Sequence, residues 1–100
     1  MLVPKNRKPT LPGEFLREII EANRLTQGQA AQRLQVSRSF LNAILQGASH
    51  VTPQMALRLA KFTGLDESFW LNAQQAVSLW EAKKTLGKKL EEITPLATAV

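Results

Sequence analysis

Residue types that can bind DNA are concentrated around residues 37–46 of the chain. Along a helix over this segment, at about 100° per residue, apolar residues fall on one side and polar residues on the other. A guanidinium can bond the O6 and N7 atoms of guanine, and a side-chain amide can bond adenine in the same two-point way. Backbone N–H groups at helix N-termini favour a phosphate. The candidate DNA-binding residues, on this face and at two helix starts, are Gln27, Ser37, Arg38, Ser39, Asn42 and Gln46.

Two short helices must position these side chains. Thr26 followed by Gln29 is the side-chain pair of a capping box, which predicts a helix over 26–34. A second helix is predicted over 37–46. Because only a few residues separate the two helices, they must cross steeply. The small residue Ala31 is predicted to lie at the crossing point. This order of small and apolar positions resembles the helix-turn-helix pattern, in which the second helix lies in the DNA major groove. If the helix over 37–46 stood alone, its polar residues would be better interpreted as an ordinary solvated face.

Helical periodicity continues along the rest of the chain, with no convincing strand. Pro12 favours a first helix, Thr52-Pro53 a fourth and Asp66 a fifth, whose pattern can be followed past Gly87 to Ile93. We therefore predict an all-α, five-helix fold. The predicted organisation is a flexible basic arm (1–11), a helix-turn-helix domain (12–81, with its unit at 26–47), a helical extension (82–96) and a tail (97–100).

The charge of the chain is unevenly distributed. It has 100 residues, with 13 basic and 8 acidic side chains and a net charge of +5. Lys5, Arg7 and Lys8 of the arm contribute three of these charges, so the helical body is nearly balanced. A basic chain favours an acidic partner such as nucleic acid. Recognition must nevertheless depend on a few placed side chains rather than on bulk charge.

The residue types of the chain do not favour catalysis or metal binding. The chain has no Cys, and His50 and Asp66 are the only residues of their kinds. This excludes a disulfide and a thiolate zinc site, and it leaves no motif for a catalytic triad. We expect no enzyme activity, no metal and no cofactor. No apolar run approaches the roughly 20 residues that span a bilayer, and the start lacks the pattern of a signal peptide, so we expect a cytoplasmic protein without membrane contact.

Several stretches together resemble the HigA-type antitoxins of the XRE, or repressor-like, helix-turn-helix family. The resemblance covers about residues 12–96, and its last part, 86–96, is weak. The stretches are PGEFLRE (12–18), LTQ (25–27), VSRS (36–39), VTPQMALRLA (51–60) and FWLN (69–72). The resemblance implies a repressor-like fold and a homodimer on a palindromic operator in double-stranded DNA. It also implies that the protein represses its own operon and neutralises a RelE-like (HigB-type) toxin that cleaves mRNA.

The same resemblance assigns roles to individual positions. It implies that Gln27 contacts the DNA backbone and that Arg38, Ser39 and Asn42 form the start and middle of the recognition helix. It places the two-fold contact in the last helices. The resulting candidates for the dimer interface are Leu79, Trp80, Leu86 and Leu90.

Three positions depart from the family pattern. Gln35 and Arg24 stand where the family often has Gly, so each must accept or avoid a left-handed backbone. Accepting it costs roughly 1 kcal/mol, and we expect an altered turn at Gln35. The loop Ala48-Ser49-His50 lacks the Arg residues common in relatives, which predicts a weaker phosphate clamp.

Some interpretations remain open at this stage. Phe40 lies beside the buried arc, which favours packing at the edge of the core over contact with a thymine methyl group. Trp70 and Trp80 are typical of core or dimer packing, with toxin contact as the alternative. A stand-alone repressor without a toxin fits the sequence almost as well. An interaction module that keeps the helix-turn-helix only as a scaffold would make Arg38, Ser39 and Asn42 dispensable.

Overall fold

A computed structural model describes residues 7–97, which form five α-helices and one short 3-10 helix. No strand occurs within this range, and the predicted all-α, five-helix fold is confirmed. The 3-10 helix (the 3-10 segment) spans Gly87–Glu92. The α-helices are α1 (Pro12–Ala22), α2 (Gln27–Leu34), α3 (Arg38–Leu45), α4 (Pro53–Thr63) and α5 (Glu67–Leu86).

Local capping signals begin four of the five helices where the sequence predicts them. In the capping box, Gln29 N donates to Thr26 Oγ1 (3.1 Å) and Thr26 N donates to Gln29 Oε1 (2.9 Å). Ser37, Thr52 and Asp66 each accept a backbone N–H two or three residues later, at 3.0, 3.3 and 3.0 Å. Each cap satisfies a donor that the first turn of a helix leaves without a partner. These helix starts are therefore encoded by neighbouring residues.

The Asp66 cap carries a charge. The Ser68 hydroxyl and the Ser68 backbone N–H both donate to Asp66 Oδ2, at 2.6 and 3.0 Å. These hydrogen bonds hold the pKa of the exposed Asp66 carboxyl below its ordinary value, because they favour the ionised form. The stability of the first turn of α5 therefore depends on the protonation state of the Asp66 side chain.

The core lies between all five α-helices, with Trp70 fully buried near the start of α5. The Phe69 ring meets Phe15 of α1 and Trp70 edge-on, with centroid distances of 5.2 and 5.1 Å. These contacts fix α1 against α5 and confirm the core interpretation of Trp70. Val77 is also buried, although the sequence analysis did not identify it. Phe40 is half-buried and packs against the core, as predicted.

The C-terminal extension changes conformation within the predicted range 82–96. The α-helix continues to Leu86, and Gly87 has a positive φ of 50°. A 3-10 segment follows to Glu92, and residues 93–96 are not helical. The positive φ at Gly87 cannot continue a right-handed helix, and Pro95 disfavours helical backbone in the residue before it.

The N-terminal arm contacts the helical body over the part that the structure describes. Lys8 Nζ lies 6.0 Å from the Trp80 ring centroid, and Lys84 Nζ lies 5.1 Å from it. Pro9 and Leu11 are half-buried. The electron-rich face of an indole attracts cations, which explains why the Lys8 ammonium group lies over the Trp80 ring. Residues 1–6 of the predicted arm and 98–100 of the predicted tail lie outside the described residues.

Candidate nucleic-acid interface

Four of the six predicted DNA-binding residues line one open hollow of about 340 Å³. These are Gln27 from the first turn of α2 and Arg38, Ser39 and Asn42 from α3. Arg38 and Ser39 are exposed, whereas Gln27 and Asn42 are half-buried. The hollow forms because the N-terminal ends of α2 and α3 come together. A guanidinium, a hydroxyl and two amides therefore converge on one surface, where they can bond to base edges and phosphates.

The other two predicted residues lie at the ends of α3. The Ser37 hydroxyl accepts the N–H of Phe40 at 3.0 Å, and Ser37 remains exposed before the first turn. Its capping role is observed, and a phosphate contact there stays a prediction. Gln46 ends the same helix, and its Nε2 donates to Asn42 Oδ1 over a long 3.5 Å. Gln46 thus lies beside Asn42 but outside the hollow.

The crossing of α2 and α3 is built from small and apolar side chains. Ala31, Leu34 and Leu41 are buried where the two helices meet, as their spacing predicts. Gln35 adopts the left-handed conformation, with φ 60° and ψ 42°, and Arg24 does so with φ 54°. The expectation of an altered turn at Gln35 is wrong, because the residue accepts the strained angle. The tertiary contacts of the turn outweigh a cost of roughly 1 kcal/mol.

Arg58 of α4 holds this turn, a role that the sequence analysis missed. Its Nη1 donates to the carbonyl oxygens of Leu34 and Gln35, at 3.0 and 3.4 Å. Carbonyls at a helix C-terminus lack intrahelical partners, and a cation there also interacts favourably with the helix dipole. Because Arg58 lies more than twenty residues from its acceptors, no local pattern could identify it.

Gly13 sets the distance between α1 and the recognition helix α3. A Cβ atom at this position would lie 2.6 Å from Leu45 O and 2.8 Å from Leu45 C, and it would also clash with Ile44 O. These atoms belong to the backbone of the last turn of α3, which cannot move aside as a flexible side chain can. Only a residue without Cβ allows so close an approach. Gly13 lies in the stretch that carries the family resemblance, but no local pattern indicates this contact.

The loop after α3 is fixed from the opposite side by α5. Gln74 Oε1 accepts the N–H of buried Val51 at 2.9 Å, and Gln74 Nε2 donates to Ser78 Oγ at 3.1 Å. Gly47, which follows the end of α3, has a φ of 78°, and the nearby His50 is exposed. His50 therefore lies in a surface loop, and the weaker phosphate clamp there stays a prediction.

The dimer candidates lie away from this face, on the second half of α5 and the 3-10 segment. Leu79, Leu86 and Leu90 have exposed fractions of 53%, 44% and 47%, while Trp80 is half-buried between Lys8 and Lys84. Several exposed apolar side chains in succession are typical of an association surface. Their role in a dimer stays a prediction.

Over residues 7–97, no group of three His, Cys, Asp or Glu side chains is placed to hold a metal ion. Within the same range, no helix combines the length and the apolar character needed to cross a bilayer.

Known proteins resemble this chain over most of its length. Residues 13–68 match the family described as "Helix-turn-helix domain". The uncharacterized HTH-type transcriptional regulator YbaQ of Escherichia coli is 38% identical, over 92% of this chain and 81% of its own length.

Solved structures agree with the sequence matches. An addiction module antidote protein of the HigA family from Coxiella burnetii is 41% identical, with a TM-score of 0.81 and coverage of 89% of this chain and 99% of its own. The Pseudomonas aeruginosa antitoxin HigA, solved with the higBA promoter, is 33% identical, with a TM-score of 0.82 and coverage of 88% and 98%. These relatives are regulators and antitoxins rather than enzymes. The chain belongs to the XRE-type helix-turn-helix family, in the group of the HigA-type antitoxins.

Proposed function

We propose that this protein binds a palindromic operator in double-stranded DNA as a homodimer, represses its own operon and neutralises a RelE-like toxin. One observation carries the DNA-binding part: Gln27, Arg38, Ser39 and Asn42 converge where the N-termini of α2 and α3 meet. The similar Pseudomonas aeruginosa HigA, whose structure was solved with the higBA promoter, supports DNA binding by a protein of this fold.

In the proposed complex, α3 enters the major groove. Arg38 and Asn42 bond to base edges, with Ser39 beside them, because a guanidinium and an amide can each make two-point contacts with a purine. Gln27 and the N–H groups that follow Ser37 contact phosphates and set the register of the helix on the duplex. Gln46 extends the contact surface at the end of α3. Gly13 and Arg58 act as positioning residues for the helix pair.

The proposed dimer forms through Leu79, Trp80, Leu86 and Leu90. They occupy the far part of α5 and the 3-10 segment, where Leu79, Leu86 and Leu90 are exposed and Trp80 is half-buried. A two-fold axis there would place two copies of α3 about 34–36 Å apart, which is one turn of B-DNA. An operator of two inverted half-sites follows from that symmetry.

Footprinting on the chain's own promoter tests the DNA-binding part. We expect protection of two inverted half-sites about one helical turn apart and affinity that falls steeply with salt, because phosphate contacts release counterions. A shuffled duplex of the same length is the control. Protection of a single asymmetric site would contradict the proposed dimer, and equal affinity for the shuffled duplex would contradict operator recognition.

The toxin partner has its own test. The chain is co-expressed with the product of the adjacent gene, and co-purification and relief of growth arrest are measured. A stable complex and restored growth are expected. If the neighbour is not toxic and does not co-purify, the function is that of a stand-alone repressor, which the similarity to the transcriptional regulator YbaQ also favours.

A further inference from the structure

A second group of charged side chains lies at the end of α2 remote from the candidate nucleic-acid interface. Arg33, Arg58, Lys61 and Phe62 line a hollow of about 300 Å³, together with Leu34 and Gln35 of the turn. The α2 helix rises about 1.5 Å per residue, which puts roughly 10 Å between its first residue, Gln27, and its last, Leu34. The two hollows therefore lie at opposite ends of α2.

The charge in this second hollow is of one sign. Arg33, Arg58 and Lys61 contribute three positive charges, and none of the residues of the 7–97 range that line it carries a carboxylate. An adjoining hollow, which shares Arg33 and Phe62, is also lined without an acidic residue among those that the structure describes. The C-terminal ends of α2 and α4 offset part of this charge, because helix dipoles are negative there. A net positive surface remains.

Two of the three cations are held in place. Arg58 is fixed by its hydrogen bonds to the carbonyls of Leu34 and Gln35, and the Arg33 guanidinium carbon lies 5.2 Å from the Phe62 ring centroid. Within residues 7–97, no hydrogen bond is found for the side chains of Arg33 and Lys61. Oriented guanidinium groups lose little entropy when they bind an anion, and their fork of donors fits phosphate oxygens.

We propose that this hollow binds a small phosphate-bearing anion with at least two negative charges. Three cations around one hollow match a polyvalent anion better than a single carboxylate. The volume falls at the lower end of the roughly 300–1,000 Å³ of small-ligand sites, which leaves room for two linked phosphates. The site uses none of the residues proposed to contact DNA and shares only Arg58, which positions the helix pair, so it is tested separately from the proposed function.

Inorganic pyrophosphate is the probe, and isothermal titration calorimetry in a buffer free of phosphate is the assay. The wild-type chain is expected to bind one pyrophosphate per protomer saturably. The double variant Arg33→Gln/Lys61→Gln should lose at least about tenfold in affinity, because two of the three charges are removed. The matched control, Lys88→Gln/Lys89→Gln, removes the same charge from the exposed 3-10 segment and should bind as the wild type does.

Thermal unfolding provides the second readout. Saturating pyrophosphate should raise the Tm of the wild type and of the control but not of the Arg33→Gln/Lys61→Gln variant. If that variant does not fold, Lys61→Gln alone, at an exposed position, is used with the same expected direction.

Three results would overturn the proposal. The first is the absence of saturable pyrophosphate binding. The second is an equal loss of affinity in the Lys88→Gln/Lys89→Gln control. The third is that a non-operator duplex, but not pyrophosphate, responds to the Arg33→Gln/Lys61→Gln change, because the hollow would then serve the phosphates of a nucleic acid.

Discussion

Replacing Gly13 by Ala tests how the recognition helix is positioned. The added Cβ would lie 2.6 Å from Leu45 O and 2.8 Å from Leu45 C, so α1 and α3 must separate. Overpacking of a tight contact costs about 1–3 kcal/mol. Ala is the better helix former by roughly 0.5–1 kcal/mol, which offsets part of this cost. The free energy of unfolding should therefore fall by about 1–2 kcal/mol, a drop in Tm of roughly 5–15 °C for a domain of this size.

Gly28→Ala is the matched control, because Gly28 is also the second residue of a helix. A Cβ there would meet only Thr26 Oγ1, at 3.9 Å, so the substitution should raise stability by up to about 1 kcal/mol. Urea and thermal unfolding of the two variants and the wild type give the comparison. If Gly13→Ala is as stable as Gly28→Ala, the close approach of α1 to α3 does not constrain the fold, and the reasoning is refuted.

Three further substitutions test other parts of the account. Gln35→Gly should raise the free energy of unfolding by roughly 0.5–1 kcal/mol, measured in urea, because Gly relieves the left-handed strain; a decrease would show that Gln35 is not strained. In Asp66→Asn, the free energy of unfolding should decrease less steeply as the pH is lowered than it does in the wild type. The lowered pKa means that the charged cap stabilises the fold above the ordinary carboxyl value of about 3.9, and that this contribution disappears as pH falls through the folded pKa. Identical acid melting curves for the two proteins would exclude this role. Leu90→Glu should convert a dimer to a monomer in sedimentation equilibrium, whereas Leu57→Glu, at a similarly exposed Leu of α4, should not; a dimeric Leu90→Glu chain would exclude Leu90 from the interface.

Features that depend on near neighbours in the chain could be predicted from the sequence. The Thr26–Gln29 capping box and the Ser37 cap connect residues three positions apart, so their spacing is visible in the sequence. The polar face of α3 follows from helical periodicity alone. That periodicity places Arg38, Ser39 and Asn42 on one face, and all three line the hollow, whereas Gln46 on the same face lies outside it and Gln27 joins from α2.

Features that depend on distant segments could not be predicted in this way. The contact of Gly13 with the backbone of Leu45 and the bonds of Arg58 to the α2 carbonyls join residues more than twenty positions apart. Their geometry exists only after the helices have packed. At Gln35 a local argument led to a wrong prediction. Its residue type favoured an altered turn, but the packing of α2 on α3 and the bond from Arg58 keep the left-handed backbone conformation.

The affinity of the Arg38→Ala variant for the chain's own operator tests the central claim most directly. Arg33→Ala is the matched control, because it removes the same charge from the opposite end of α2. Loss of a base-contacting Arg should cost about 1–3 kcal/mol, or roughly 5- to 150-fold in affinity, and should relax the preference for one base pair. Arg33→Ala should change operator affinity by less than about twofold. Equal losses for the two variants, or an unchanged footprint with Arg38→Ala, would contradict the assignment of α3 as the recognition helix.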